Sequence, residues 1–291
     1  MTSQQPTISR RLYRDDVELS IVGLGVIVLV GMEQNDANRL VAESVERGVN
    51  YIDTGPNYGG GEGQEKMGHA VRPHRDKLFI ACKTGQRDAE GARNELEHSL
   101  RQLHTDHVDL YQFHGVSTME QVQQIVGPGG AGEAFLKARD EGLTRYVGLS
   151  AHTEEAAIAL MDQFDCDSIL FPVNYTCFAR GNFGPRVIRH AQSKGVTRLA
   201  LKALALTKWE EQADRTYPKC WYRPISHEQR DLAALALGFT LSQDITAAIP
   251  PGDERMYRLA MDLAAAFEPL SPAQREELLA SAAELEPIFA S

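Results

Sequence analysis

The 291-residue sequence predicts a closed (β/α)8, or TIM, barrel, and three observations carry the prediction. Eight short, almost continuously apolar runs recur along the chain, as strands of a parallel sheet buried on both faces require. Segments with helical spacing of apolar residues separate them, the alternation expected of an α/β fold. No Gly/Ser or Pro-rich tract is long enough to be a linker, Gly127-Pro128-Gly129-Gly130 being only a loop. Because a barrel of this class takes up about 250 residues, residues 1–291 read as one domain, with a core over about 12–268 and a C-terminal helical extension over 271–289. An open, doubly wound sheet is the alternative. Its G-x-G-x-x-G fingerprint is missing, since Gly23-Leu24-Gly25 continues into Val26-Ile27-Val28.

The expected strands are Leu19 to Gly25, Asn50 to Thr54, Leu78 to Thr84, Val108 to His114, Tyr146 to Ser150, Ser168 to Asn174, Thr197 to Ala203 and Ile245 to Pro250. Between them, Asp36 caps a helix whose apolar face is Leu40, Val41 and Val45, and Gly48 ends it. Leu96, Leu100 and Leu103 make a second apolar stripe. Thr153 opens a helix with Glu154 and Glu155 at the end the dipole favours for acids. Pro185 stands at a first helical position, with Gly195 as the stop. Asp253 caps a stripe of Met256, Leu259, Ala260 and Leu263, and Ser271, Pro272 and Gln274 spell a capping-box start to a last helix.

The bulk numbers narrow the function. A formal net charge of -10 argues against a nucleic-acid or anionic-membrane partner, because the field repels phosphates, although a local pocket for one phosphorylated cofactor is compatible with it. Cys82, Cys166, Cys177 and Cys220 have no metal-ligand spacing and read as free thiols in a reducing compartment. Met1 to Arg11 lacks a signal-peptide core, and the apolar run Ile21 to Val30 is broken by Gly23 and Gly25 and far too short for a membrane span. These features predict a cytoplasmic, soluble protein without a membrane partner.

On a parallel barrel all strand ends meet at one rim, so distant residues can form one site. Asp53 ends the second expected strand, Lys83 lies at the end of the third and His114 ends the fourth, while Tyr58 follows Asp53 in a Gly/Pro loop. Each has a structural reading by itself: a loop cap, a rim ion pair, a carbonyl-bonded histidine, a surface aromatic. Together they suit proton transfer to a carbonyl oxygen. A phenol has an ordinary pKa of about 10; a neighbouring ammonium favours phenolate, and a carboxylate keeps that lysine charged and aimed. Histidine can donate to the same oxygen or orient the substrate.

At these residues the sequence resembles the aldo-keto reductase family. The similarity rests on Gly48-Val49-Asn50-Tyr51-Ile52-Asp53-Thr54-Gly55-Pro56-Asn57-Tyr58-Gly59, Ala81-Cys82-Lys83-Thr84, Val108 to His114 and Tyr146 to Ser150, and extends more loosely from the first strand to Ile249-Pro250. The resemblance implies a barrel, reversible reduction of aldehydes or ketones, and a nicotinamide cofactor, usually NADPH, with NADH an open alternative. It also implies the catalytic set Asp53, Tyr58, Lys83 and His114, with Tyr58 as general acid.

Departures from the family pattern lie in the cofactor grip. The usual Ser-Asn after the fifth strand is Ser150-Ala151-His152 here, so Ser150 remains the carboxamide anchor and His152 stands in for the amide. The usual glutamine falls near Pro172, leaving Asn174 as the nearest amide, and no stacking aromatic is evident in Leu201-Lys202-Ala203-Leu204. Lys202 resembles a lysine of divergent branches and is placed to approach cofactor phosphate, its structural reading being a rim ion pair. Ile249-Pro250-Pro251-Gly252 resembles the phosphate loop, with Gly252 before a helix N-terminus. Arg255 or Arg258 is available to a 2′-phosphate beside the unfavourable acids Asp253 and Glu254. The long segment from Leu206 to His227 carries Trp209, Tyr217, Trp221 and Tyr222, which either line a substrate site, cover the barrel end or contact another subunit.

Three functions compete on these residues. The leading one is NAD(P)H-dependent reduction of a small-molecule carbonyl. A second is a nucleotide-binding regulatory subunit of the same fold with little turnover, motivated by the altered cofactor positions. The third is unrelated barrel chemistry, with Lys83 as a Schiff base or Asp53, His114 and His152 around a metal, which the paired acid and phenol disfavour.

Overall fold

Alternation along the strands organises the molecule. The computed structural model describes residues 7–291, and residues 1–6, part of the polar Met1 to Arg11 segment, lie outside the described residues. In chain order it comprises β1 (Arg10–Arg14), β2 (Val17–Ser20), β3 (Leu24–Gly25), α1 (Gln34–Glu46), β4 (Tyr51–Asp53), α2 (Glu62–Val71), β5 (Phe79–Thr84) and α3 (Ala89–Leu103). Then follow β6 (Val108–Val116), α4 (Met119–Val126), α5 (Ala131–Asp140), β7 (Thr144–Ala151), α6 (Glu154–Gln163), β8 (Ser168–Pro172), α7 (Tyr175–Gly181), α8 (Pro185–Ser193) and β9 (Thr197–Leu201). The chain finishes with β10 (Ala205–Lys208), β11 (Tyr222–Pro224), α9 (Arg230–Leu241), β12 (Ala247–Ile249), α10 (Glu254–Ala265) and α11 (Pro272–Ser281).

Eight parallel strands pair in the order β3-β4-β5-β6-β7-β8-β9-β12. A parallel bridge between Val22 and Ala248 closes the cylinder: Gly23 N–H donates to the Ala248 carbonyl at 3.0 Å, and Ala248 N–H donates to Ile21 at 2.9 Å. Closure brings the two ends of the eight-stranded sheet together. One face of each strand fills the lumen, with Tyr51, Phe79, Leu110, Tyr146, Leu170 and Leu199 in one cluster. The other face packs under the helices, as Ile52, Ile80, Tyr111, Val147 and Ile169 do. Period-two alternation and burial on both faces thus explain the continuous apolar runs.

Leu19 to Gly25 is corrected: it is two elements rather than one strand. Leu19 and Ser20 belong to an antiparallel hairpin of β1 with β2, whose Tyr13 and Leu19 fill the floor of the lumen. The chain breaks at Gly23, where a Cβ would meet the Tyr51 ring at 2.4 Å. Side chains take over the backbone groups there, Ser20 Oγ donating to the Val22 carbonyl at 2.8 Å and Ser20 N–H donating to Asn50 Oδ1 at 2.7 Å.

The first helix is also corrected. Glu33 occupies the N-cap of α1 and Asp36 lies in its first turn, where an acid still meets the positive end of the dipole. Asp253 and Ser271 do cap α10 and α11, the latter by a full capping box with Gln274. Thr153 occupies the N-cap position of α6, but its hydroxyl donates to the Ser117 carbonyl at 3.0 Å and makes no cap bond. Two expected strands end early: Asn174 becomes the cap of α7, and Lys202 turns the chain out of β9 with φ +65°. Among the described residues no helix is long and apolar enough to cross a membrane.

Candidate active site

The alternation that fills the lumen also builds the site. Stepping two residues at a time from Tyr51, Phe79, Leu110 and Tyr146 toward the C-terminal strand ends reaches Asp53, Lys83, Gln112 with His114, and Ser150 with His152. These side chains converge where the apolar filling stops. A cavity of about 290 Å³ opens there, lined by Tyr58, Lys83, His114, Ser150, Lys202 and Gly252 among others. It lies at the small end of ligand sites, which run about 300–1,000 Å³.

Asp53 and Lys83 are 3% and 2% exposed and form an ion pair. Lys83 Nζ also donates to the Thr54 carbonyl at 3.4 Å, and Gln112 Nε2 donates to the second oxygen of Asp53 at 3.5 Å. Burial pushes the lysine pKa down, but Asp53, together with Tyr58 and Cys82, outweighs it and holds the ammonium above its ordinary value. The result is a fixed positive charge 5.4 Å from the centroid of the Tyr58 ring.

Tyr58 reaches the rim because glycines follow it. Gly59, Gly60 and Gly61 take φ of +63°, +67° and +104°, a left-handed run that side chains resist. The phenol ring faces the His114 imidazole at 5.8 Å between centroids. Burial, then the charge on Lys83, push the His114 pKa down to about 3; burial, then Lys202, bring His152 to about 4. Both imidazoles are therefore neutral at neutral pH, able to donate from one nitrogen and accept at the other. A phenol backed by a paired ammonium and flanked by a neutral imidazole can hydrogen-bond a carbonyl oxygen from two sides.

The residues expected to hold a cofactor are arranged less uniformly. Ser150 lines the cavity, and its hydroxyl accepts the Gly115 N–H at 2.9 Å, which leaves its own proton to donate. Gly252 lines the opposite wall, where a Cβ would stand 2.5 Å from Ile27. Lys202 faces the cavity with its ammonium 5.3 and 5.5 Å from the Trp221 and Tyr222 ring centroids, and burial followed by repulsion from Lys83 lowers its pKa to about 8. It makes no rim ion pair among the described residues.

Asn174 and Arg255 lie outside the cavity lining. Asn174 Oδ1 accepts from Cys177 N–H at 2.9 Å and Thr176 Oγ1 at 2.8 Å, while its Nδ2 is buried without a partner. Arg255 is folded onto Asp253, at 3.0 Å, and donates to the Thr216 carbonyl at 2.9 Å. Arg258 pairs with Glu43 and Glu254 and so is engaged on the helix side.

The long segment after β9 covers the barrel end. Trp221 and Tyr222 line the cavity, and Trp209 Nε1 donates to the Cys220 carbonyl at 2.8 Å, inside the segment. Lys219 straps it to the turn after β3, donating to the Val28 and Val30 carbonyls at 2.8 and 2.7 Å. Phe289, near the C-terminus, stacks on His152 at 5.4 Å. Gln112 was available from strand alternation, being two residues before His114. Lys219 and Phe289 come from loops with no periodic signal, and only the folded chain brings them to the rim.

The Bacillus subtilis (strain 168) protein named Uncharacterized oxidoreductase YqkF is 27% identical over 285 residues, covering 88% of this chain and 90% of that protein. L-galactose dehydrogenase of Arabidopsis thaliana is 24% identical, with 95% of this chain and 88% of that enzyme covered. The fold is shared with the holo form of aldo-keto reductase AKR11C1 from Bacillus halodurans, at TM-score 0.72 and 21% identity over 95% of this chain and 97% of that one. It is shared likewise with an aldo-keto reductase from Klebsiella pneumoniae solved in complex with NADPH, at TM-score 0.71 and 20% identity over 94% of each chain. With residues 22–280 matched by the model of the Aldo/keto reductase family, this chain belongs to that family.

Proposed function

We propose that this protein reduces an aldehyde or ketone to the alcohol, with Tyr58 as the proton donor and NADPH as the preferred cofactor. The observation that carries the reading is the buried Lys83–Asp53 ion pair behind the Tyr58 ring, with the His114 imidazole beside it, all at the mouth of one cavity. The Lys83 charge stabilises the negative charge that develops on the phenol oxygen as its proton leaves. Asp53 keeps that lysine charged, and Gln112 holds the carboxylate in turn. Neutral His114 donates a hydrogen bond to the carbonyl oxygen and orients it toward Tyr58.

The residues present fit a nicotinamide dinucleotide. Gly252 leaves no room for a Cβ on the wall it shares with Ile27, Asn174 offers an unpartnered buried amide, and Ser150 has a free hydroxyl proton. We assign Ser150 to the carboxamide end and Lys202 and Gly252 to the phosphates, with Asn174 joining the carboxamide end only if its buried amide turns into the cavity and Arg255 reaching a 2′-phosphate once it leaves Asp253. A reduced nicotinamide bound there supplies the hydride. The NADPH complex of the Klebsiella relative supports that choice, and NADH is the alternative that titration decides. Half-exposed Trp221 and the Phe289 ring form an aromatic rim suited to a small carbonyl compound with an apolar portion.

Fluorescence titration with NADPH and NADH, followed by turnover on a panel of aldehydes and ketones, tests the assignment. Tyr58→Phe is expected to lower kcat by roughly 10²–10⁴-fold, the usual contribution of a positioned acid, with cofactor Kd nearly unchanged. Unchanged turnover in that variant would overturn Tyr58 as donor. Cofactor binding without turnover in the unaltered protein across the panel would instead support a nucleotide-binding regulatory subunit.

A further inference from the structure

The strand that delivers His114 is irregular at that residue. In the pairing of β6 with β7, Phe113 lies opposite Leu149 and the next partners are Val116 and Ala151, so two residues, His114 and Gly115, face Ser150 alone. This is a β-bulge, a device that re-aims a side chain at the cost of ladder hydrogen bonds. Gly115 takes φ +63°, a conformation that glycine adopts without strain. Three of the backbone groups at the bulge are taken up by side chains. The Gly115 N–H donates to Ser150 Oγ at 2.9 Å, and Ser117 Oγ donates to the Gly115 carbonyl at 2.9 Å. Arg87 Nη2 donates to the His114 carbonyl at 2.6 Å.

Arg87 is itself well seated. Its own carbonyl accepts the Ala131 N–H at the start of α5 at 2.8 Å, and the adjacent Asp88 bridges to Gly130. Its guanidinium makes no ion pair among the described residues, and its Nε is buried without a partner. A half-buried arginine that forms no salt bridge and spends its short hydrogen bond on one backbone carbonyl needs an explanation, because desolvating a guanidinium is costly. The peptide unit it grips is the one whose N–H is held by Ser150. The two side chains hold that unit from opposite ends.

We infer that Arg87 is a positioning residue: with Ser150 it clamps the His114–Gly115 peptide in its bulge and thereby aims the His114 imidazole into the cavity. The inference rests on the reading of His114 as the carbonyl-orienting group. Ser150 links the clamp to the cofactor side, since one hydroxyl accepts from Gly115 while keeping a proton to donate. The charged and titratable groups facing the imidazole are Tyr58, Lys83, His152, Lys202 and Arg87, and Arg87 is the one of them that touches the His114 backbone.

The test uses the full chain carrying Arg87→Met or Arg87→Lys. Four quantities are measured: kcat, cofactor Kd, melting temperature, and hydrogen exchange of the Gly115 amide in protein without added cofactor. For Arg87→Met, kcat is expected to fall roughly 10–100-fold, as small misplacements of a reacting group do, with Kd within about twofold of the unaltered protein. Gly115 is expected to exchange faster, and Arg87→Lys to recover part of both losses. A folded Arg87→Met protein with ordinary kcat and ordinary Gly115 protection would overturn the inference. So would kcat, Kd and melting temperature collapsing together without a change specific to Gly115. Should Arg87→Met not fold, Gly115 exchange in Arg87→Lys decides: faster supports the clamp, unchanged refutes it. His114→Gln checks the underlying reading separately, for ordinary turnover there removes the role of His114 while the exchange result still settles what Arg87 holds.

Discussion

Lys83 and Asp53 show why a pair of charges at a barrel mouth serves function more than stability. Removing two ions from water is expensive, and their attraction offsets the expense only while both are present. Lys83→Met should therefore cost about 3–5 kcal/mol by stranding a buried carboxylate. The double variant Asp53→Asn with Lys83→Met should be distinctly more stable than Lys83→Met alone. Denaturant unfolding of the two proteins checks this, and a double variant at least as unstable as the single one would show that the pair is not coupled. Asp53, Tyr58, Lys83 and His114 were readable in the sequence because each sits at or just beyond the end of an apolar run, where strand alternation must deliver it to the rim. Arg87 was not readable, because nothing in a loop sequence says which carbonyl an arginine will reach.

Among the elements, the turn after β4 does the most with the least sequence. Gly59 and Gly60 share positive φ, but a Cβ on Gly59 would stand 2.8 Å from Val30 whereas one on Gly60 would meet nothing within 4 Å. The left-handed conformation alone costs an L-residue about 1–2 kcal/mol. Gly60→Ala should show that loss in a denaturation curve and keep most of its turnover. Gly59→Ala should lose more stability and more turnover, because relieving the Val30 clash moves the chain next to Tyr58. Equal behaviour of the two variants would mean that the turn does not position the phenol. The short β1/β2 hairpin shows the opposite case. Arg10-Arg11-Leu12-Tyr13-Arg14 is too charged to read as a strand, yet its Tyr13 packs at 5.0 and 5.1 Å from the Phe79 and Tyr146 rings on the lumen floor.

At the scale of the whole molecule, the site places an acid-sensitive load on the fold. The folded-state pKa values of His114 and His152, about 3 and about 4, lie below the ordinary histidine value of about 6.5. The unfolded chain therefore binds more protons than the folded one between about 6.5 and those values. Stability from these two groups is intact above about pH 6.5 and falls as pH drops through that window. Asp167, whose pKa burial raises, works in the other direction and softens the loss. The denaturation midpoint of the unaltered protein should fall between about pH 7 and about pH 5, and less steeply in His152→Asn. Equal slopes in the two proteins would show that His152 is not held neutral by the fold.

Legible in the chain alone is the physics that repeats locally along it. Eight runs buried on both faces, separated by helices, require a parallel barrel, and polar residues ending those runs must gather at its mouth, which brings Asp53, Lys83 and His114 together and specifies the family it resembles. The tertiary structure set what depends on contacts between distant segments. It split the first expected strand around Gly23, because the backbone there lies against the Tyr51 ring. It brought Lys219, Phe289 and Arg87 to the rim from loops that carry no periodicity. Alternation constrains a strand from within, whereas the reach of a loop side chain is set by the surface it meets after folding.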